Sequence, residues 1–346
     1  MSNSNTNHSL RQLRVSFGLL ISRRLIAVAA LSVAAIACSL PFTLHAQVFP
    51  AKPVRIIVPV PAGSGPDVVA RMIAEKMSAG LKQPVLVENR LGGSGVVAIS
   101  ALKAAEADGH TLVLLDNGQL AINPFLFERP RYDVENDFAP VGMVTETSFL
   151  MVTGKNSPYG SLRALIGAAR SKPDAIAYAT PFVGSPSHLG GARLAQLTGT
   201  TMLHTPFSGP QMLTSISNGD VAWGFLTFGT AGPLIASDRL KVLAVAAGQR
   251  LSYLPSTPTI EEAGGPKGFE LKGWLALVAL KASPALAVNR LNNELNAALS
   301  DPLIVQRLKA MGFEPMPGNP NQVTKLTQQD SRVFSELVKL TGAKSD

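Results

Sequence analysis

The side chains able to do chemistry in this chain are few, and their spacing favours holding an anion over making or breaking bonds. Of five histidines, His8 and His45 fall within the first 46 residues, leaving His110, His188 and His204. No pair of these has metal-ligand spacing. The only cysteine, Cys38, is also near the N-terminus, so the rest of the chain supplies no thiol nucleophile, thiolate ligand or disulfide. Ser185 and His188 stand three apart, as a nucleophile and its base would, but also as a helix N-cap and its neighbour would. No GxSxG elbow and no third triad member accompany them, which makes capping the simpler reading. Gly63 and Gly65 begin a dinucleotide fingerprint, but Val68 occupies the third glycine's place. No metal or cofactor is implied.

An anion needs donors that something else holds still. Arg55 to Val60 is a short, mostly β-branched run, Pro61 to Gly65 a small-residue loop, and Asp67 to Met77 carries apolar residues at helical spacing. Ser64 and Asp67 fit a capping box, and Pro66 is tolerated in the first turn because its missing N–H would lack an intrahelical partner. The loop therefore offers bare amides at the positive end of a helix, which suits a carboxylate. The alternative is that Gly63 and Gly65 only let the chain turn. A second unit repeats the plan: a strand over Ala175 to Ala179, a loop over Thr180 to Ser185, and a helix from Pro186 to Leu197 with Ser185 at its N-cap. Each half of the chain thus has a strand, loop and helix start that can face a shared cleft.

Around these units the pattern alternates. Pro84 to Glu88 reads as a strand, Asn89 to Gly95 as a glycine-rich loop, Val96 to Ala107 as a helix and Thr111 to Leu115 as a third strand. Such alternation argues for parallel sheets covered by helices. Asn117 follows the third strand, as a loop residue or one reaching the cleft. Val141 to Thr153 is extended and apolar, a first crossing between domains, and Phe269 to Leu280 is the return. Trp274 on that return is either hinge packing or a pocket wall. Further strands are expected at Met202 to Thr205, Val221 to Phe225 and Leu240 to Ala246, and helices at Leu162 to Ala169, Pro284 to Leu299, Pro302 to Met311 and Asn321 to Leu340. The expected domains are residues 47–148 with 274–346, and residues 149–273.

Residues 1–46 read as an export signal. Arg11, Arg14, Arg23 and Arg24 precede an uncharged apolar stretch from Leu25 to Ala37, too short to span a bilayer comfortably, and Leu44-His45-Ala46 is a cleavage site. Lipidation at Cys38 is the alternative, and Ser22-Arg23-Arg24-Leu25 is a loose twin-arginine match. Removing the four leader arginines, with no acids beside them, takes the formal net charge from +8 to +4. The remaining cations are scattered, with no basic run and no interleaved aromatics, so no nucleic-acid partner is expected. Nothing in the sequence demands more than a monomer.

In this order and spacing the segments resemble the periplasmic solute-binding proteins of the tripartite tricarboxylate transporter family, often called Bug-type receptors. The matching stretches are Pro53 to Pro59 with Pro61-Ala62-Gly63 and Asp67, Val87-Glu88-Asn89-Arg90 before Gly92 and Gly95, Asp108 to Leu112, Asp137 to Val141, Gly184 to Leu189, Pro255 with Pro258-Thr259, and Asp301-Pro302. The resemblance implies an α/β, two-domain periplasmic-binding-protein fold of type II, each domain a mainly parallel sheet flanked by helices. It implies a small carboxylate held in the interdomain cleft and delivered to membrane transporter subunits, without catalysis. The ligand-contacting loops carried over by position are Val60, Pro61, Ala62, Gly63 and Ser64, and Thr180, Pro181, Gly184 and Ser185, with His188 beside the second. Where the family usually has tyrosine then lysine, this chain has Phe207 and Ser208, and two positions that are commonly aspartate are Ala222 and Leu226. Leucine cannot pair an ammonium. The expected ligand therefore lacks an amino group and has an apolar or aromatic part contacted by Phe207, Leu226 and Trp274. A secreted hydrolase using Ser185, and a sensor docking to a membrane signalling partner, are the competing readings.

Overall fold

The computed structural model describes residues 49–207 and 211–345. The expected leader, with Cys38 and the expected cleavage site, and Ser208 lie outside the described residues. In chain order the first elements are β1 (Val54–Val58), α1 (Gly65–Leu81), β2 (Val85–Asn89), α2 (Val96–Lys103) and β3 (Thr111–Asp116). A π-helical turn (Gly118–Ile122), short helices α3 (Asn123–Leu126) and α4 (Val134–Asp137), and the long strand β4 (Phe138–Gly154) follow. Next come α5 (Leu162–Ser171), β5 (Ala177–Thr180), α6 (Pro186–Thr198), β6 (Leu203–Pro206), α7 (Gln211–Asn218), β7 (Trp223–Thr227), α8 (Phe228–Ala236) and β8 (Leu240–Val245). The chain returns through β9 (Lys272–Leu280), then α9 (Ala285–Leu299), α10 (Pro302–Ala310), β10 (Glu314–Pro315) and α11 (Asn321–Thr341).

The strands form one continuous path, β2-β1-β3-β9-β4-β7-β5-β6, with β8 and β10 also paired to β4. β1 runs parallel to β2 and β3, and β5 runs parallel to β6 and β7. The crossing strands differ: β9 is antiparallel to β3 and β4, and β4 is antiparallel to β7, β8 and β10. The sheet is mixed, parallel where helices intervene and antiparallel where the chain changes halves. Ile56, Ile57 and Val58 are completely buried because β1 lies inside the sheet, which is why its sequence reads as a continuous apolar run.

The apolar cores divide along the chain. Two clusters draw only on residues up to Val144 and from Trp274 onward, including Ile73, Met77, Leu277 and Leu295 in one and Ile99, Leu115 and Trp274 in the other. Two more draw only on Phe149 to Leu271, built around Trp223 and Phe225 in one and Leu150, Ile216 and Leu226 in the other. A fifth crosses over: Leu189 of α6 packs with Ala121, Ile122 and Leu126 and with Phe334, Leu337 and Val338 of α11.

Candidate functional site

The loop after β1 is set by a side chain one helical turn away. Gly63 has φ +81°, a left-handed conformation that favours glycine, and Ser64 follows in extended geometry at the N-cap of α1. Asp67, which is 1% exposed, accepts from the Gly63 N–H at 2.8 Å. The same carboxylate accepts from Arg71 Nε and Nη2 at 3.0 Å each and from Asn89 Nδ2 at 2.8 Å, while Asn89 Nδ2 also reaches the Val60 carbonyl at 3.0 Å. Burial pushes the Asp67 carboxyl up, but the bonds from Arg71, Gly63 and Asn89 outweigh it and hold the group below its ordinary value. The expected capping box is not formed: the Asp67 carboxylate reaches the Gly63 amide, while the Ser64 amide donates to the Pro61 carbonyl at 3.2 Å. The Ser64 hydroxyl donates to the Pro61 carbonyl at 2.6 Å instead of accepting from α1, because the tight turn brings that carbonyl nearer than the helix amides.

The loop after β5 has the same backbone with different chemistry. Gly184 also has φ +81°, and Ser185, fully buried, caps α6 by accepting from the His188 N–H at 3.2 Å. His188 Nδ1 accepts from the Gly184 N–H at 3.0 Å, the place Asp67 holds in the first loop. The His188 ring stacks on His204 with centroids 3.7 Å apart, and His204 Nε2 lies 2.6 Å from Thr180 Oγ1. Burial, then the neighbouring His204, lowers His188 to about 4, and burial lowers His204 as well. Among the described residues, the N–H groups of Ala62, Gly65 and Asp67 on the first loop and of Phe182, Val183 and Ser187 on the second have no protein acceptor. The Gly63 and Gly184 amides, by contrast, already donate to Asp67 and His188.

The second loop touches the other half directly, and the first packs on a residue next to a contact between the halves. A Cβ on Gly184 would sit 2.4 Å from Leu126 Cδ1 of α3. A Cβ on Gly65 would sit 3.3 Å from the Phe313 ring, and one on the adjacent Gly312 would sit 2.6 Å from Phe228 Cβ, at the start of α8. Among the described residues no hydrogen bond joins one loop to the other. Val60 and Ser64 are half-buried and Pro61, Ala62 and Pro181 exposed, whereas Thr180 is enclosed.

The other expected contacts are more deeply placed. Phe207 is half-buried against the cluster that holds Leu226, and its N–H donates to the Thr180 carbonyl at 2.9 Å, which ties it to the second loop. Leu226 sits behind it, 3% exposed. Trp274 is 4% exposed in the first half's core, and its indole N–H donates to Asp330 at 2.8 Å. Asn117 is 2% exposed, and its amide donates to the Lys272 carbonyl at 3.0 Å. Asp330 escaped the sequence reading, although Val323, Thr327, Asp330, Phe334 and Leu337 follow helical spacing and put it on the inward face of α11. Two histidines far apart in sequence also stack, because parallel pairing of β5 with β6 aligns Tyr178 with His204 beside the start of α6. The nucleophile-and-base alternative fails on geometry, since the Ser185 hydroxyl caps the helix and the His188 nitrogen takes a backbone amide. Among the described residues no cluster of three or more potential ligands could hold a metal.

One mixed sheet, two sets of cores and a pair of matched helix-start loops suit a receptor that holds a small solute. The profile of the tripartite tricarboxylate transporter family receptor matches residues 69–342, and the chain belongs to that family. Its members are receptors and not enzymes. An R. palustris protein solved with adipate superposes with a TM-score of 0.78 at 29% identity, covering 86% of this chain and 99% of that one. MatC from Rhodopseudomonas palustris, with bound malate, gives 0.74 at 30% identity, covering 84% and 100%. The periplasmic binding protein BugD gives 0.74 at 29% identity, covering 86% and 100%.

Proposed function

We propose that this receptor captures a small carboxylate that lacks an amino group and carries an apolar part. It holds the ligand in a cleft between two lobes, residues 47–148 with 274–346 and residues 149–273. It acts as a monomer in the periplasm and passes the ligand to the membrane subunits of a tripartite tricarboxylate-type transporter. The observation that carries this reading is the matched pair of loops, each a left-handed glycine followed by a serine N-cap, the second packed on Leu126 of the other half. Unpaired amides in the first turns of α1 and α6 favour carboxylate oxygens over neutral groups. The division of the cores near residues 149 and 273 supports two lobes, and the adipate and malate held by structural neighbours support acids without an ammonium. Phe207, backed by Leu226, is the apolar contact in this reading, while at the crossing Trp274 is held by Asp330 and Asn117 by the Lys272 carbonyl.

Calorimetry with adipate, malate and glutamate tests it. Adipate is expected to bind saturably, malate more weakly for want of an apolar part, and glutamate at least about tenfold more weakly than adipate, since an ammonium would find no carboxylate. Gly63→Val is expected to weaken binding of the favoured acid while the protein stays folded, because a Cβ there meets nothing within 4 Å. Tight glutamate binding with neither diacid bound, or unchanged affinity in Gly63→Val, would overturn the assignment.

A further inference from the structure

The two loops share a backbone but not the group that sets it. In each, a side chain four residues on accepts the N–H of the left-handed glycine: ionised Asp67 in the first, His188 in the second. We propose that His188, as a neutral imidazole, is the positioning residue of the second loop, so that a proton on this ring unlocks that side of the site while Asp67 still holds the other. The inference rests on the site reading above.

For Nδ1 to accept from Gly184 it must carry no proton, which places the ring's hydrogen on Nε2. A second proton would set one donor against another across 3.0 Å, and the glycine amide would have to turn away. Nothing nearby rewards the charge. The titratable groups facing the ring are His204 from β6, stacked at 3.7 Å, and Tyr178 from β5, with ring centroids 6.5 Å away. The side chains that α3 and α11 turn toward α6 are apolar: Leu126, Phe334, Leu337 and Val338. Arg193, on α6 itself, lies over the Phe269 ring. Asp67, by contrast, is held ionised by Arg71 and Asn89. The proton that disturbs the second loop therefore leaves the first intact.

The test compares His188→Phe, which keeps a ring but no acceptor, with His188→Asn, whose side-chain oxygen reaches the place of Nδ1. Hydrogen exchange of the Gly184 amide, read by NMR, is expected to quicken about tenfold in His188→Phe and to return within about threefold of wild type in His188→Asn. Adipate affinity at neutral pH is expected to follow the same order. On acidification the Gly184 amide shift should track the His188 ring with one midpoint, while the Gly63 amide stays still over that range. Unchanged Gly184 exchange in His188→Phe, equal loss in both variants, or separate midpoints for ring and amide would overturn the inference. Gly63→Val separates it from the site reading. If Gly63→Val loses adipate while His188→Phe binds normally, only the role of His188 fails; if neither matters, the site reading fails.

Discussion

Asp67 carries four hydrogen bonds on one carboxylate while almost fully enclosed, so its removal strands donors as well as freeing a loop. Asp67→Ala is expected to cost about 2–3 kcal/mol in urea unfolding, because the charge-assisted bonds exceed the ordinary contribution of a neutral one. Ser185→Ala should cost about 1 kcal/mol, the usual loss for a removed N-cap. Both residues were legible in the sequence, since a serine before Pro186 and an acid three residues after Ser64 are local signals. Their partners were less so. That Asp67 reaches Gly63 rather than the Ser64 amide depends on the turn's exact closure, and the stacking of His188 on His204 depends on which strand lies beside β5, which no short-range pattern specifies.

At the scale of elements, the two glycines that look alike in sequence behave differently. Gly63 has open space where a side chain would grow, whereas Gly184 is pressed against Leu126. Gly184→Val is therefore expected to destabilise the fold by more than Gly63→Val, which meets only the cost of left-handed backbone, about 1–2 kcal/mol. Thermal unfolding of the two variants side by side checks this. The helices that pattern reading found are those with clear caps or clean amphipathic faces, such as α5, α9 and α11. No helix was expected at α7, only eight residues long, or at α8, which holds Gly229, Gly232 and Pro233; tertiary packing overrides weak propensity there. Strand direction at the crossings was equally hidden, because an apolar run looks the same whichever way its neighbour points.

For the molecule as a whole, the buried histidines make stability fall on acidification. His188 takes its proton near 6.5 when unfolded and near 4 when folded, so the unfolded state binds more protons between those values. Stability should decline as pH falls through that window, by about 3 kcal/mol from this residue, and level off below it as far as His188 is concerned. His204 adds in the same direction, and Asp67, held below its ordinary value, adds a further loss at lower pH. Urea midpoints measured across this range, with His188→Asn as the comparison, check the sign. The path of the sheet has a separate outcome during synthesis. β3 pairs with β9, and β9 with β4, so the first half stays one strand short until residues 272–280 have left the ribosome. A nascent chain thus carries an open sheet edge until β9 emerges, while the two cores of the other half draw only on residues 149–271. The core of the first half therefore closes last, waiting on a strand that lies more than 150 residues after β3 in the chain.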